Sequence, residues 1–76
     1  MNTLAEMKQG ERAIVRALAS TGGIRKRLMD IGLVPGTKVE CLQKSPLGDP
    51  VAYLIRGAII ALRHEDSSKV FIQESR

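Results

Sequence analysis

Breakers of regular structure recur so closely along this chain that no long element can form. Gly10, Gly32, the Pro35-Gly36 pair, the stretch Ser45-Pro46-Leu47-Gly48-Asp49-Pro50 and Gly57 interrupt it in turn. Two prolines and a glycine within residues 45–50 cannot sustain a sheet ladder, so that stretch is a loop. What survives between the breakers is of strand length, with one exception. Residues 11–18 alternate, with Ala13, Val15 and Ala17 against Arg12, Ile14 and Arg16, which predicts a strand with one buried face. Residues 37–44, 51–56, 58–63 and 70–73 read likewise, with Val39 and Cys41 on one face and Val70 and Ile72 on one side. Gly57 marks a tight hairpin, and residues 65–68 make a further turn.

The exception lies between Ser20 and Gly36. Ile24, Leu28 and Ile31 recur at i, i+4 and i+7, the spacing of one helical stripe. Ser20 or Thr21 is suited to cap the start, Gly32 to take the left-handed position that ends the helix, and Pro35 to prevent its continuation. Arg25, Lys26, Arg27, Met29 and Asp30 occupy its remaining faces. Near the N-terminus, Thr3 and Glu6 have capping-box spacing, predicting one helical turn over residues 4–8 that Leu4 and Met7 tack onto the core. The expected fold is mainly β, with about five short strands and one helix inserted after the first. Such strands bury their apolar faces best by curling into a small barrel or half-open sandwich.

Size and charge narrow the function. Seventy-six residues make one domain, spanning 1–76, with one modest core and little room for a deep catalytic cleft. The single cysteine, Cys41, has no partner for an internal disulfide, which fits a reducing compartment. No apolar run approaches the roughly 20 residues of a membrane helix, and no signal peptide pattern opens the chain, so a cytoplasmic protein without direct membrane insertion is expected. The net charge of +4 is concentrated in residues 1–38, which hold seven Lys/Arg against three acids. Arg25, Lys26 and Arg27 are its one tight cluster. Such a cluster meets phosphate, acidic lipid or an acidic protein face, although its plainer reading is the solvated side of a helix.

Catalysis and cofactors find little support. Cys41 and His64 are the one nucleophile–imidazole pair, with nothing to bring them together, and no phosphate-binding loop is present. No cofactor is expected. His64 and Glu65 are weak metal-ligand candidates, since one His and one Cys give neither C-x-x-C nor H-x-x-x-H spacing. Their plainer reading is a polar turn, and that of Cys41 is a buried strand residue. Single-strand nucleic-acid binders stack bases on aromatic platforms in a basic groove. Here Tyr53 and Phe71 both lie outside the basic half, so nucleic acid is not an expected partner and would bind only weakly. Protein docking remains, through open strand edges and through Met29, Leu33 and Leu47 at the helix end and loops. Leu33 has the competing reading of a core plug. Weak self-association through the same edges is a further expectation.

The order of these motifs resembles a known family. Arg27-Leu28-Met29-Asp30-Ile31-Gly32-Leu33-Val34-Pro35-Gly36, then the 45–50 loop, then Arg56-Gly57 with Ile60-Ala61-Leu62-Arg63, and finally Ser68-Lys69-Val70-Phe71-Ile72, are similar to the ferrous iron transport protein A family. Each motif alone is common turn chemistry; together they run from about Gly10 to Ile72 in the family's order. The resemblance implies an SH3-like barrel and a bacterial accessory of ferrous iron uptake, docking on a membrane iron permease that carries its own GTPase domain. The basic helix and the apolar residues at its end and on the loops make Arg25, Lys26, Arg27, Met29, Leu33 and Leu47 the expected partner contacts. The C-terminal SH3-like domains of metal-dependent repressors look similar too, which leaves metal sensing, or a weak nucleic-acid binding module, as the alternative. With no room for a helix-turn-helix domain in 76 residues, the stand-alone accessory is the expected form.

Overall fold

The structure, a computed structural model, describes residues 2–19 and 22–74. The described residues form six antiparallel strands: β1 (Asn2–Thr3), β2 (Arg12–Leu18), β3 (Lys38–Lys44), β4 (Val51–Ile55), β5 (Ala58–Leu62) and β6 (Val70–Glu74). Their order across the sheet is β1-β6-β2-β3-β4-β5. Helix α1 (Gly22–Asp30) stands between β2 and β3, and a helical turn, α2 (His64–Ser67), between β5 and β6. The fold is therefore mainly β with one inserted helix, as expected, but with six strands. The additional one is β1, two residues that pair with Ile72 and Phe71 at the far end of the chain. No local pattern announces so short a strand. Its presence places the helix after the second strand, not the first.

Alternation builds the core. Ala13 and Val15 of β2, Val39 and Cys41 of β3, Tyr53 and Ile55 of β4, and Val70 and Ile72 of β6 all face inward and are buried. Ala17 departs from this pattern. The pairing of β2 with β6 slips between Val15 and Ala17, a bulge that turns Ala17 to solvent. Leu4 and Met7 close one end of the core, as their spacing predicted, although the turn they belong to is a 3-10 helix over Leu4–Glu6 that does not reach Lys8. The Glu6 carboxylate accepts from the Thr3 backbone N–H (3.0 Å) and hydroxyl (3.3 Å), the returning half of the capping box. The buried Tyr53 hydroxyl donates to the Leu4 carbonyl at 3.0 Å, tying β4 to this turn across the core.

The exit of α1 shows why a glycine is needed there. The Leu33 N–H donates to the Leu28 carbonyl and the Gly32 N–H to the Met29 carbonyl, both at 3.0 Å, while Gly32 holds φ +105°. This pair of bonds is a Schellman end, and its hydrophobic contact is supplied by Leu28 and Leu33, both fully buried. A Cβ at Gly32 would lie 2.8 Å from Arg56 Cδ, so the helix exit also receives the tip of the β4–β5 hairpin. At the other end of α1 the proposed caps, Ser20 and Thr21, lie outside the described residues. Ile24 is 38% exposed, so the buried stripe of α1 is narrower than its spacing predicted. Leu28 alone is buried and Ile31 is partly so.

Candidate docking surface

The basic cluster on α1 does not act as a unit. The Arg25 guanidinium donates to the Leu18 carbonyl at 3.2 Å and fastens the helix to the end of β2. Arg27 donates to Asp66 at 2.9 Å, an ion pair that links α1 to α2 across the molecule. The Asp66 side chain is only 15% exposed, so this pair is better shielded than an ordinary surface bridge. Lys26 is exposed and makes no ion pair or side-chain hydrogen bond among the described residues. Two of the three cations thus position the helix and one is left facing solvent.

The apolar candidates also separate. Leu33 is fully buried, with no surface to offer a partner; it serves as the core plug beneath the exit of α1. Met29 is 40% exposed, and Leu47, at the tip of the 45–50 loop, is 94% exposed. An isolated exposed aliphatic is ordinary, but one exposed this fully on a Pro/Gly loop makes almost no contact with its own fold. Ile59, missing from the sequence-derived set, is 72% exposed in the middle of β5. A signal for it was present. Val51–Ile55 and Ala58–Leu62 are apolar at every position, so alternation must put some of that apolar surface outside. On β2 and β3 the outward positions carry Arg12, Arg16, Lys38 and Glu40 beside Ile14, so charge dilutes the apolar surface there.

His64 and Glu65 open α2. The His64 N–H donates to Asp49 Oδ1 at 2.8 Å, closing the 45–50 loop against α2. Among the described residues no three His, Cys, Asp or Glu side chains gather as a metal-binding group. Cys41 is fully buried, and burial pushes its thiol above its ordinary value, which keeps it protonated and unreactive near neutral pH. Burial likewise pushes the Tyr53 phenol up to about 12. No helix among the described residues is long and apolar enough to cross a membrane.

A curled antiparallel sheet of six short strands, with one helix packed at its end and apolar groups at exposed loop and strand positions, defines a small SH3-like domain. The FeoA domain family matches residues 2–74, and the chain belongs to that family. It is 34% identical over 70 residues to an Fe(2+) transport protein A/Fe(2+) transporter FeoB fusion protein of Porphyromonas gingivalis (strain ATCC BAA-308 / W83). That match covers 92% of this chain and 8% of the fusion protein, so the chain spans a small part of that relative. The solution structure of the FeoA protein of Chlorobium tepidum is 36% identical with a TM-score of 0.87, covering 95% of this chain and 69% of that one. A zinc complex of Stenotrophomonas maltophilia FeoA, described as a prokaryotic SH3 domain protein, is 26% identical with a TM-score of 0.86. It covers 96% of this chain and 91% of its own. A manganese-dependent transcriptional repressor shares the fold alone, at 12% identity and a TM-score of 0.86 over 97% of this chain and 41% of that one.

Proposed function

We propose that this chain is a non-enzymatic accessory of a membrane ferrous iron transporter, acting in the cytoplasm by docking on the GTPase-coupled permease. The observation that carries the reading is the fusion: in P. gingivalis a segment similar to nearly the whole of this chain is named as one polypeptide with the FeoB transporter. Joining two modules on one chain makes their encounter intramolecular and raises their effective concentration, which is useful to modules that must meet. The exposed groups Lys26, Met29 and Leu47 are the contacts assigned here, with Arg25 and Arg27 holding α1 in place for them.

Titrating the purified chain into the permease's cytoplasmic GTPase domain tests this directly. Saturable binding is expected, weakened at least tenfold by Met29→Asp with Leu47→Asp. Absence of binding by the native chain would sink the reading, and unchanged binding by the double variant would remove this surface from it. The zinc complex of the S. maltophilia protein favours a second reading, metal sensing. Stoichiometric zinc or ferrous binding with NMR shifts centred on His64 and Glu65 would support that reading; shifts scattered over the surface would end it.

A further inference from the structure

The two edges of the sheet are treated in opposite ways. β1 is two residues long, a common way of leaving an edge with little to pair. β5 runs five residues, Ala58-Ile59-Ile60-Ala61-Leu62, with no charge, no proline and no bulge in its pairing with β4. Arg56 and Gly57 both hold positive φ, +51° and +82°, so they form the type I′ turn of a two-residue hairpin. In such a hairpin the flanking pair, Ile55 and Ala58, is hydrogen-bonded, and bonded pairs alternate from there. Ala58, Ile60 and Leu62 therefore direct their backbone groups to β4, and Ile59 and Ala61 direct theirs to the open side. No backbone bond from a turn, loop or cap reaches those two residues among the described ones.

Beside this edge lies a groove between β5 and α1. Leu28, Ile31 and Ile60 contribute its apolar lining, with Arg27, Arg63, Glu65 and Asp66 also on its walls. An extended segment hydrogen-bonded to Ile59 and Ala61 would drop alternate side chains into this groove and lay the others beside the exposed Ile59, in the manner of strand addition. Charge chooses the occupant. Arg56 and Arg63 bracket β5, both exposed and neither in an ion pair among the described residues. The Arg27 charge is already balanced by Asp66, and Glu65 of α2, which also lines the groove, offsets one further cation, so Arg56 and Arg63 leave the site with an excess of one positive charge. Two copies paired antiparallel through β5 about Ile60 would set Arg63 of each copy against Gly57 and beside Arg56 of the other, two like-charge encounters that oppose self-pairing.

We infer that the open edge of β5 accepts an extended polypeptide segment with an apolar centre and acidic flanks, laid between β5 and α1. The acids that meet Arg56 and Arg63 are about six residues apart, since Arg63 lies roughly 17 Å of extended strand beyond Ala58 and Arg56 stands in the turn about one residue step before it. The inference stands on the edge and groove alone and does not depend on which protein carries the segment.

An NMR titration of the full chain with two synthetic probes tests it. One is an alternating Val/Thr peptide with two Glu at each end, and the other is the same peptide with Lys in place of Glu. The Glu peptide is expected to shift and protect the Ile59 and Ala61 amides and to bind at least tenfold more tightly than the Lys peptide at low salt. Arg56→Glu with Arg63→Glu is expected to reverse that preference. Ala61→Pro removes one outward N–H without touching the β4 ladder and should weaken binding at least tenfold. Ile59→Asp, which leaves the backbone intact but replaces the apolar contact with an acid, is expected to weaken the Glu peptide at least tenfold and keeps the inference testable should the proline variant fail to fold. Equal affinity for the two peptides, shifts confined to α1, or β5 shifts that grow with protein concentration in the absence of peptide would each overturn the inference. Permease binding that leaves both amides unprotected would also overturn it while keeping the docking reading; peptide capture without permease binding would support it and count against that reading.

Discussion

The β1 end of the sheet and its β5 edge solve the same problem by different means, and the difference separates stability from recognition. At the β1 end little strand is present, and what holds it is buried: Leu4 and Met7 fill the core, and Tyr53 reaches across to the Leu4 carbonyl. At the β5 edge the inner face is part of the core through Leu62, while Ile59 and Ala61 lie outside and contribute little to holding the fold. A domain this small cannot spend much apolar surface on the outside without losing stability. That it does so on one five-residue strand and one loop tip marks those places as the ones to perturb.

Perturbing the closed end should have the largest effect. Leu4→Ala removes a fully buried side chain and is expected to destabilise the protein by about 2–5 kcal/mol, read as a lower urea midpoint with the slope unchanged. Tyr53→Phe removes the phenol's bond to the Leu4 carbonyl, which keeps the Met7 N–H as a donor at 3.1 Å, at a cost of about 0.5–1.5 kcal/mol. The same residue predicts a pH signature. Its phenol is raised to about 12 in the fold from the ordinary phenol value of about 10, so the folded state holds the proton more tightly than the unfolded chain. That contribution is complete below about pH 10 and is lost as the pH rises toward 12. Thermal melts across this window should fall more steeply for the native chain than for Tyr53→Phe; parallel curves would contradict the assignment.

Between the two ends stands the junction of α1 with the hairpin. Gly32→Ala forces an alanine into the left-handed region, at about 1–2 kcal/mol, and brings a methyl against Arg56, so a lower melting temperature is expected. The smallest effect belongs to the open edge. Ile59→Lys should change stability by no more than about 0.5 kcal/mol, because Ile59 makes few contacts within its own fold. A loss comparable to that of Leu4→Ala would show that the exposed isoleucine is structural after all and erase the contrast between the two edges.

Much of the frame was legible because its signals are local. The alternation of β2 and β3, the turn at Gly57, and the Leu28–Gly32–Leu33 exit of α1 each depend on neighbours a few residues away. The candidate surface was legible only in part. Met29 and Leu47 are exposed as their positions at a helix end and a loop tip allow, whereas Leu33, equally apolar and equally close to the helix end, is buried by the Schellman contact. The Arg25–Arg27 run looked like one patch because charge reads the same whether or not it is paired. Its division depends on Leu18 and Asp66, the latter 39 residues away from Arg27.

By itself the sequence determined that this chain is a small, mainly β domain with one helix, and its motif order pointed to the family to which it belongs. Periodicity, turn residues and capping act over a few residues, so they are present in any one-dimensional reading. Tertiary structure alone decided that Asn2–Thr3 pairs with Phe71 and Ile72, that a bulge turns Ala17 outward, and that β5 is left at an edge. Strand order and register arise from contacts between residues distant along the chain. They settle which of two apolar faces is buried, and so which isoleucine is left for a partner.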